Sequence, residues 1–246
     1  MKNAENIYVE LIREIEYYAG LMEGRSVLDK NRNLINSHLY NQEIHENEEL
    51  KKEEIPFSEC CEYDKNAIIE TGLILRQSVQ MPLFDENKKC LCMEVNKYLW
   101  RRGKFGGYYI PIIGIMLKNP EEFKRKKESC GNGDSEAWME YYLHSLLEAA
   151  ERTWKFILKY SVWNDTISQL VEKEKQKDLL ENILKYLEFH STLRIKDVAK
   201  EFNVSYNTAA GAVAWLEEQN VILEISKKRR YRIFAYADIM MLTIDR

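Results

Sequence analysis

Residues 191–236 read STLRIKDVAKEFNVSYNTAAGAVAWLEEQNVILEISKKRRYRIFAY. STLRI is a short extended segment, IKDVAKEFN a helix, and NVSYNTAAGAVAWLEEQN a turn followed by a second helix. VILEI and YRIFAY are β-rich runs joined by the basic turn SKKRR. The preceding DLLENILKYLEF (178–189) has the apolar spacing of a further helix. Helix, short strand, two helices and a hairpin is the order of a winged helix-turn-helix. Val204 is expected to plug the angle between the paired helices. Ser205 is a suitable N-cap, because its hydroxyl accepts from an otherwise unpaired amide. Ala209, Val213 and Leu216 share one face and are expected to be buried. Tyr206, Asn207, Thr208 and Gly211 then face outward, where a recognition helix meets a major groove.

Charge sets the terms on which such a unit meets DNA. Its second paired helix holds no Lys or Arg, and residues 178–246 carry ten basic and ten acidic side chains. Affinity for phosphates would therefore rest on the wing, through Lys227, Lys228, Arg229 and Arg230, with Arg232 as a fifth cation. The candidate DNA contacts are these four wing residues together with Ser205, Tyr206, Asn207 and Thr208. The alternative is that the wing is a solvated turn and the unit binds a protein partner.

Working outward, the chain has 246 residues, a net charge of -4, and only 10 Gly and 4 Pro. Few turn-makers in that length favour long helices, so the fold class is mainly α. The mean hydropathy of -0.49 and the lack of an apolar run near the roughly 18 residues of a span predict no membrane segment. MKNAENIYVELIREIEYY is acidic and amphipathic, unlike a secretory leader, and a cytoplasmic location is expected. The five cysteines, Cys60, Cys61, Cys90, Cys92 and Cys130, lack the paired spacing of a zinc site, and no metal site is expected.

Helical periodicity runs over Ile7–Met22, Asp64–Val79, Cys90–Trp100 and Ser135 to about Lys159. The last of these has Trp138, Tyr141, Tyr142, Leu146, Trp154, Ile157 and Leu158 in a broad apolar stripe. Arg25–Glu54 is polar and Asn/Glu-rich, and within it the block HENEELKKEE (45–54) reads as a solvated helix face or a mobile connection. YYIPIIGIML (108–117) belongs in a core. KRKKE (124–128) is a basic, solvated helix face, and Gly131–Gly133 a turn. VEKEKQKD (171–178) is a linker, which divides the chain into a helical domain at 1–170 and the winged unit at 178–246. His38, His45, His144 and His190 are scattered. His144 is expected to be packed.

The stretch MPLFDENKKCLC (Met81–Cys92) resembles the Fic-domain signature HxFx(D/E)GN(G/K)RxxR. WRRGKFGGYYIPII, GDSEAWMEYYLHSLLEAAERT and a C-terminal winged helix follow it in the order found in many Fic proteins. The resemblance implies a Fic-like helical domain, with the degenerate motif at 81–92, followed by a winged helix-turn-helix with a small hairpin wing. Fic proteins use the motif His as a base on a target hydroxyl and transfer AMP from ATP. By the resemblance, Asp85 would hold magnesium, while Asn87, Lys88 and Lys89 would line a nucleotide cradle. AGLMEG also resembles the inhibitory pattern (S/T)xxxE(G/N), with Glu23 as the inhibitory-type residue and Ala19 in the Ser/Thr position.

Three departures remove chemistry from that motif. Met81 stands at the base position, and a thioether takes up no proton near neutral pH, so a rate contribution of about 10²–10⁴ is missing. Glu86 sets a carboxylate beside the cradle and repels a nucleotide. Cys92 replaces the terminal Arg and lacks its bidentate fork. Arg25–Gln80 is also short for the family and has no strand pair to clamp a target peptide. The expected function is that of a Fic pseudoenzyme regulating through DNA or a protein partner at its winged helix, with the first domain as a dimerisation or sensing scaffold. An atypical AMP transferase, or an adaptor that binds ATP and magnesium without turnover, is the alternative.

Overall fold

The computed structural model describes residues 2–26, 29, 31–46, 66–80, 84–131, 134–190, 192–226 and 231–236; side chains are described for all of these except 2–6, 45–46, 84–90 and 188–189. The described residues form ten α-helices and three short strands, so the chain is mainly α. It separates into two compact units, Met1–Lys155 and Phe156–Arg246.

In the first unit, α1 (Lys2–Ser26) buries Leu11, Ile15, Ala19 and Met22, which recur every three or four residues along one stripe. α2 (Arg32–Glu46) lies in the polar, Asn/Glu-rich segment, where the sequence gives no apolar stripe. It is a helix because Ile35, Leu39 and Glu43, spaced four apart, are all buried on one side. The remaining helices of the unit are α3 (Ala67–Val79), α4 (Phe84–Arg101), α5 (Ile112–Leu117), α6 (Pro120–Gly131) and the first part of α7 (Ser135–Val171). α4 begins six residues before the expected Cys90, so residues 84–89 are helical as well.

Packing within this unit follows from two close approaches. A Cβ on Gly72 of α3 would sit 2.6 Å from the Tyr142 ring of α7, so only glycine admits that ring. Tyr142 O–H donates to the Ile68 carbonyl at 2.8 Å, and Trp138 Nε1–H to the Gly72 carbonyl at 3.2 Å, which joins α3 to α7. Gly106, in the turn after α4, has φ +59 and lies against the Met22 carbonyl at the end of α1. From α2, Arg32 donates to the Gly106 carbonyl, while Asn36 donates to the Gly107 carbonyl and accepts from Tyr109 N–H. Asn96 of α4 pairs with both N–H and C=O of Ile110. Residues 108–117 are thereby held in the core, as their apolar run predicts; Pro111 alone among them is only half-buried.

The second unit starts inside α7, at Phe156, and Phe156, Ile157, Tyr160, Ile167 and Val171 of that helix are buried. Its elements are α8 (Lys177–Phe189), β1 (Thr192–Leu193), α9 (Ile195–Glu201), α10 (Tyr206–Glu218), β2 (Ile222–Glu224) and β3 (Phe234–Tyr236). They fall where the sequence places helices and strands. The sheet order is β1-β3-β2, antiparallel throughout, with Leu193 opposite Phe234 and Leu223 opposite Ala235. Leu180, Ile183, Leu187, Val198, Ala209, Val213, Leu216, Ile222 and Phe234 make its core. Tyr236 meets Trp163 edge to face at 5.6 Å.

Two expectations on α7 are corrected. Leu158, read as part of the apolar stripe, is 42% exposed, and His144, read as packed, is exposed. Both sit on the side of the helix turned away from the buried residues Leu143, Leu146 and Ile157. No described helix is long and apolar enough to cross a membrane.

Candidate functional site

The motif segment straddles the start of α4. Met81 and Leu83 lie outside the described residues. The backbone of Asp85, Glu86, Asn87, Lys88 and Lys89 occupies the first turns of α4, the end of a helix where unpaired N–H groups favour an anion. The side chains of these five residues lie outside the described ones.

Cys92 is described, and it is 0% exposed. The motif resemblance puts a phosphate-gripping Arg at this position. In the fold it points inward from α4, in the same buried row as Leu91, Val95 and Leu99. Burial pushes its thiol well above the usual range, and the neighbouring Glu43 carboxylate, to which the S–H is hydrogen-bonded, pushes it further. Glu43 is itself 3% exposed. It accepts from the Tyr109 O–H and from the Gly114 N–H, and so ties α2 to the core segment and to α5. The Tyr109 phenol is raised by burial first and by Glu43 next.

Glu43 is the residue that sequence reasoning missed. Its only signal is the four-residue step from Ile35 and Leu39, visible once the segment is treated as helical. Glu23, the inhibitory-type candidate, is half-buried near the end of α1, where its carbonyl accepts from Ser26 Oγ at 2.8 Å. The carboxylate that faces Cys92 is that of Glu43.

The candidate contacts of the second unit gather at the first turn of α10. Ser205 Oγ accepts from Thr208 N–H at 3.1 Å, the capping bond expected from its identity. Tyr206 is 60% exposed, Asn207 and Gly211 are exposed, and Thr208 is half-buried. Ala209, Val213 and Leu216 are buried as expected, and Val204 is half-buried in the turn. Lys227, Lys228, Arg229 and Arg230 lie outside the described residues.

Arg232, counted from sequence as a fifth phosphate contact, is committed elsewhere. Its guanidinium donates to Glu224 at 2.7 Å and to both oxygens of Glu217 at 2.9 and 3.0 Å, and it lies 4.7 Å over the Phe234 ring. Two carboxylates on one cation leave Arg232 itself with no net positive charge to offer a phosphate.

Elsewhere the chemistry is sparse. His190 is exposed with its ring 4.1 Å from that of Tyr186, and His38 is half-buried. His45 has its side chain outside the described residues. Cys130 is buried beside Arg76 Nε. Among the described residues no group of three or more His, Cys, Asp or Glu could hold a metal ion. No protein-family model matches the chain, and no curated protein matches it with significance.

Proposed function

We propose that this chain is a Fic-like protein that has lost nucleotide transfer and works as a regulator, binding DNA through a winged helix formed by α8 to β3. The observation that carries the loss of transfer is the burial of Cys92 against Glu43. The motif's last position cannot reach a phosphate from there, and a guanidinium in its place would be buried in the core. Met81 takes the base away as well, since a thioether accepts no proton near neutral pH. A buried last position leaves the motif without the cation that would grip the terminal phosphate of ATP.

The DNA half of the reading rests on the capped, exposed start of α10 and on the cationic turn 227–230 of the hairpin. Four phosphate contacts would give a slope of log affinity against log salt of about -3.6. Fluorescence anisotropy with mixed-sequence duplex tests this: binding should weaken steeply with salt and be lost when Lys227, Lys228, Arg229 and Arg230 are all changed to Ala. Absence of binding at low salt, or indifference to those four changes, overturns it.

One observation favours a second reading, in which the unit docks a protein. α10 offers no Lys or Arg and Arg232 is neutralised by Glu217 and Glu224, so the surface beside the wing is not cationic. That reading expects no DNA affinity and an association that is insensitive to the wing cations.

A further inference from the structure

The far end of α4 meets the start of α3 at a cleft of about 410 Å³ lined by Asn66, Ala67, Arg101, Arg102 and Lys104. Three cations converge there, and their counter-charges are unequal. Arg102 forms an ion pair at 3.2 Å with Glu70, a wholly buried carboxylate that also takes the Tyr98 O–H. Lys104 donates to both oxygens of Glu16 at 2.7 and 2.8 Å. Arg101 is exposed and has no carboxylate partner among the described residues. The N-terminus of α3, whose Asn66 side chain takes the Ile68 N–H, opens onto the same cleft and adds partial positive charge.

We propose that this cleft binds the phosphate group of a small phosphorylated ligand, with Arg101 as the principal contact and Arg102 and Lys104 as flanking donors. The carboxylates hold Arg102 and Lys104 in place, which lowers the ordering cost of binding, while Arg101 supplies a charge that no carboxylate among the described residues compensates. A planar guanidinium matches two phosphate oxygens at once, which a carboxylate-paired lysine does not offer. The cleft is distinct from the motif end of the same helix. Arg101 is 16 residues beyond Asp85, so the two ends lie roughly 24 Å apart along the axis.

Titration calorimetry of the full chain at low salt tests the site with inorganic pyrophosphate and, separately, with ATP. Pyrophosphate should bind, and Arg101→Gln should weaken it about tenfold, the cost of one charge-assisted contact. Lys88→Gln at the motif end should leave that affinity unchanged. If ATP also binds with the same dependence on Arg101, the ligand is a nucleotide; if only pyrophosphate does, it is a free polyphosphate. The proposal is overturned if pyrophosphate fails to bind the wild-type chain, if Arg101→Gln binds it equally well, or if binding depends on Lys88 instead. Arg101 is exposed, and an unchanged melting temperature confirms that its variant is folded.

Discussion

The phenol of Tyr109 donates a hydrogen bond to the carboxylate of Glu43 across 66 residues of chain, with the Cys92 thiol on the same carboxylate. Three donors from the core segment, α4 and α5 thus converge on one buried acid in α2. Charge-assisted bonds in a dry setting explain how a helix with so little apolar surface is held.

Replacing that acid should loosen the first unit. Glu43→Ala leaves the Tyr109 hydroxyl and the Gly114 N–H buried without an acceptor, which costs about 2–4 kcal/mol. Glu43→Gln, which keeps an acceptor oxygen, should cost less than half as much. Urea unfolding monitored by circular dichroism separates the two, and equal stability of all three proteins contradicts the assignment.

Cys92 should be chemically silent. Its thiolate is suppressed by burial and by Glu43, so a maleimide should leave it unmodified in the native protein and label it only after unfolding. Peptide mass mapping reads this residue by residue. Cys92→Arg, which sets the Arg of the resembled motif at this position, should lower stability by about 3 kcal/mol or more, because it drives a long cation into a closed core.

The Gly72 contact predicts an inverted substitution effect. Gly→Ala within a helix ordinarily gains about 1 kcal/mol. At Gly72 the added methyl would meet Tyr142 at 2.6 and 2.8 Å and Met139 Sδ at 2.9 Å. A net loss of about 1–3 kcal/mol is expected in thermal unfolding.

Alkaline pH should destabilise the chain through its tyrosines. Burial raises the phenols of Tyr108, Tyr109, Tyr141 and Tyr142 above their ordinary value of 10.0, aided at Tyr108 by Asp29 and at Tyr109 by Glu43. Raised folded values mean that this stability is fully present below pH 10 and is lost as pH rises beyond it. Phenolate absorbance should therefore show these four groups ionising together with unfolding, not as separate titrations of the native state.

The Arg232 clamp gives the DNA reading its own signature. Glu217→Gln with Glu224→Gln removes two negative charges and frees a guanidinium beside the wing. DNA affinity at low salt should rise several-fold and the salt slope steepen by about 0.9, one more phosphate contact. An unchanged slope would mean that the hairpin does not face the duplex.

The C-terminal elements were readable because each carries its own punctuation. Ser205 caps α10, the apolar faces are short and regular, and the strands stand apart from the helices in composition. α2 was not readable because Glu43 takes the place of an apolar residue in its buried stripe, and the charge disguises the period. α4 was read as starting late because DENKK has no apolar repeat, although Asp85 and Glu86 suit the first turn of a helix. Cys92 could be aligned with a motif but not located. Whether it faces a pocket or the core depends on α2 and Tyr109, which reach it only through tertiary packing. Leu158 and His144 show the same gap in reverse, since periodicity finds a stripe but not how far along a long helix its neighbours extend.

The proposed loss of nucleotide transfer is tested most directly by incubating the purified wild-type chain with magnesium and ATP labelled at the α-phosphate. The chain itself and added protein substrates should remain unlabelled, since Met81 offers no base and Cys92 is sealed against Glu43. Label incorporated by the wild-type protein and abolished by Asp85→Ala would contradict the account.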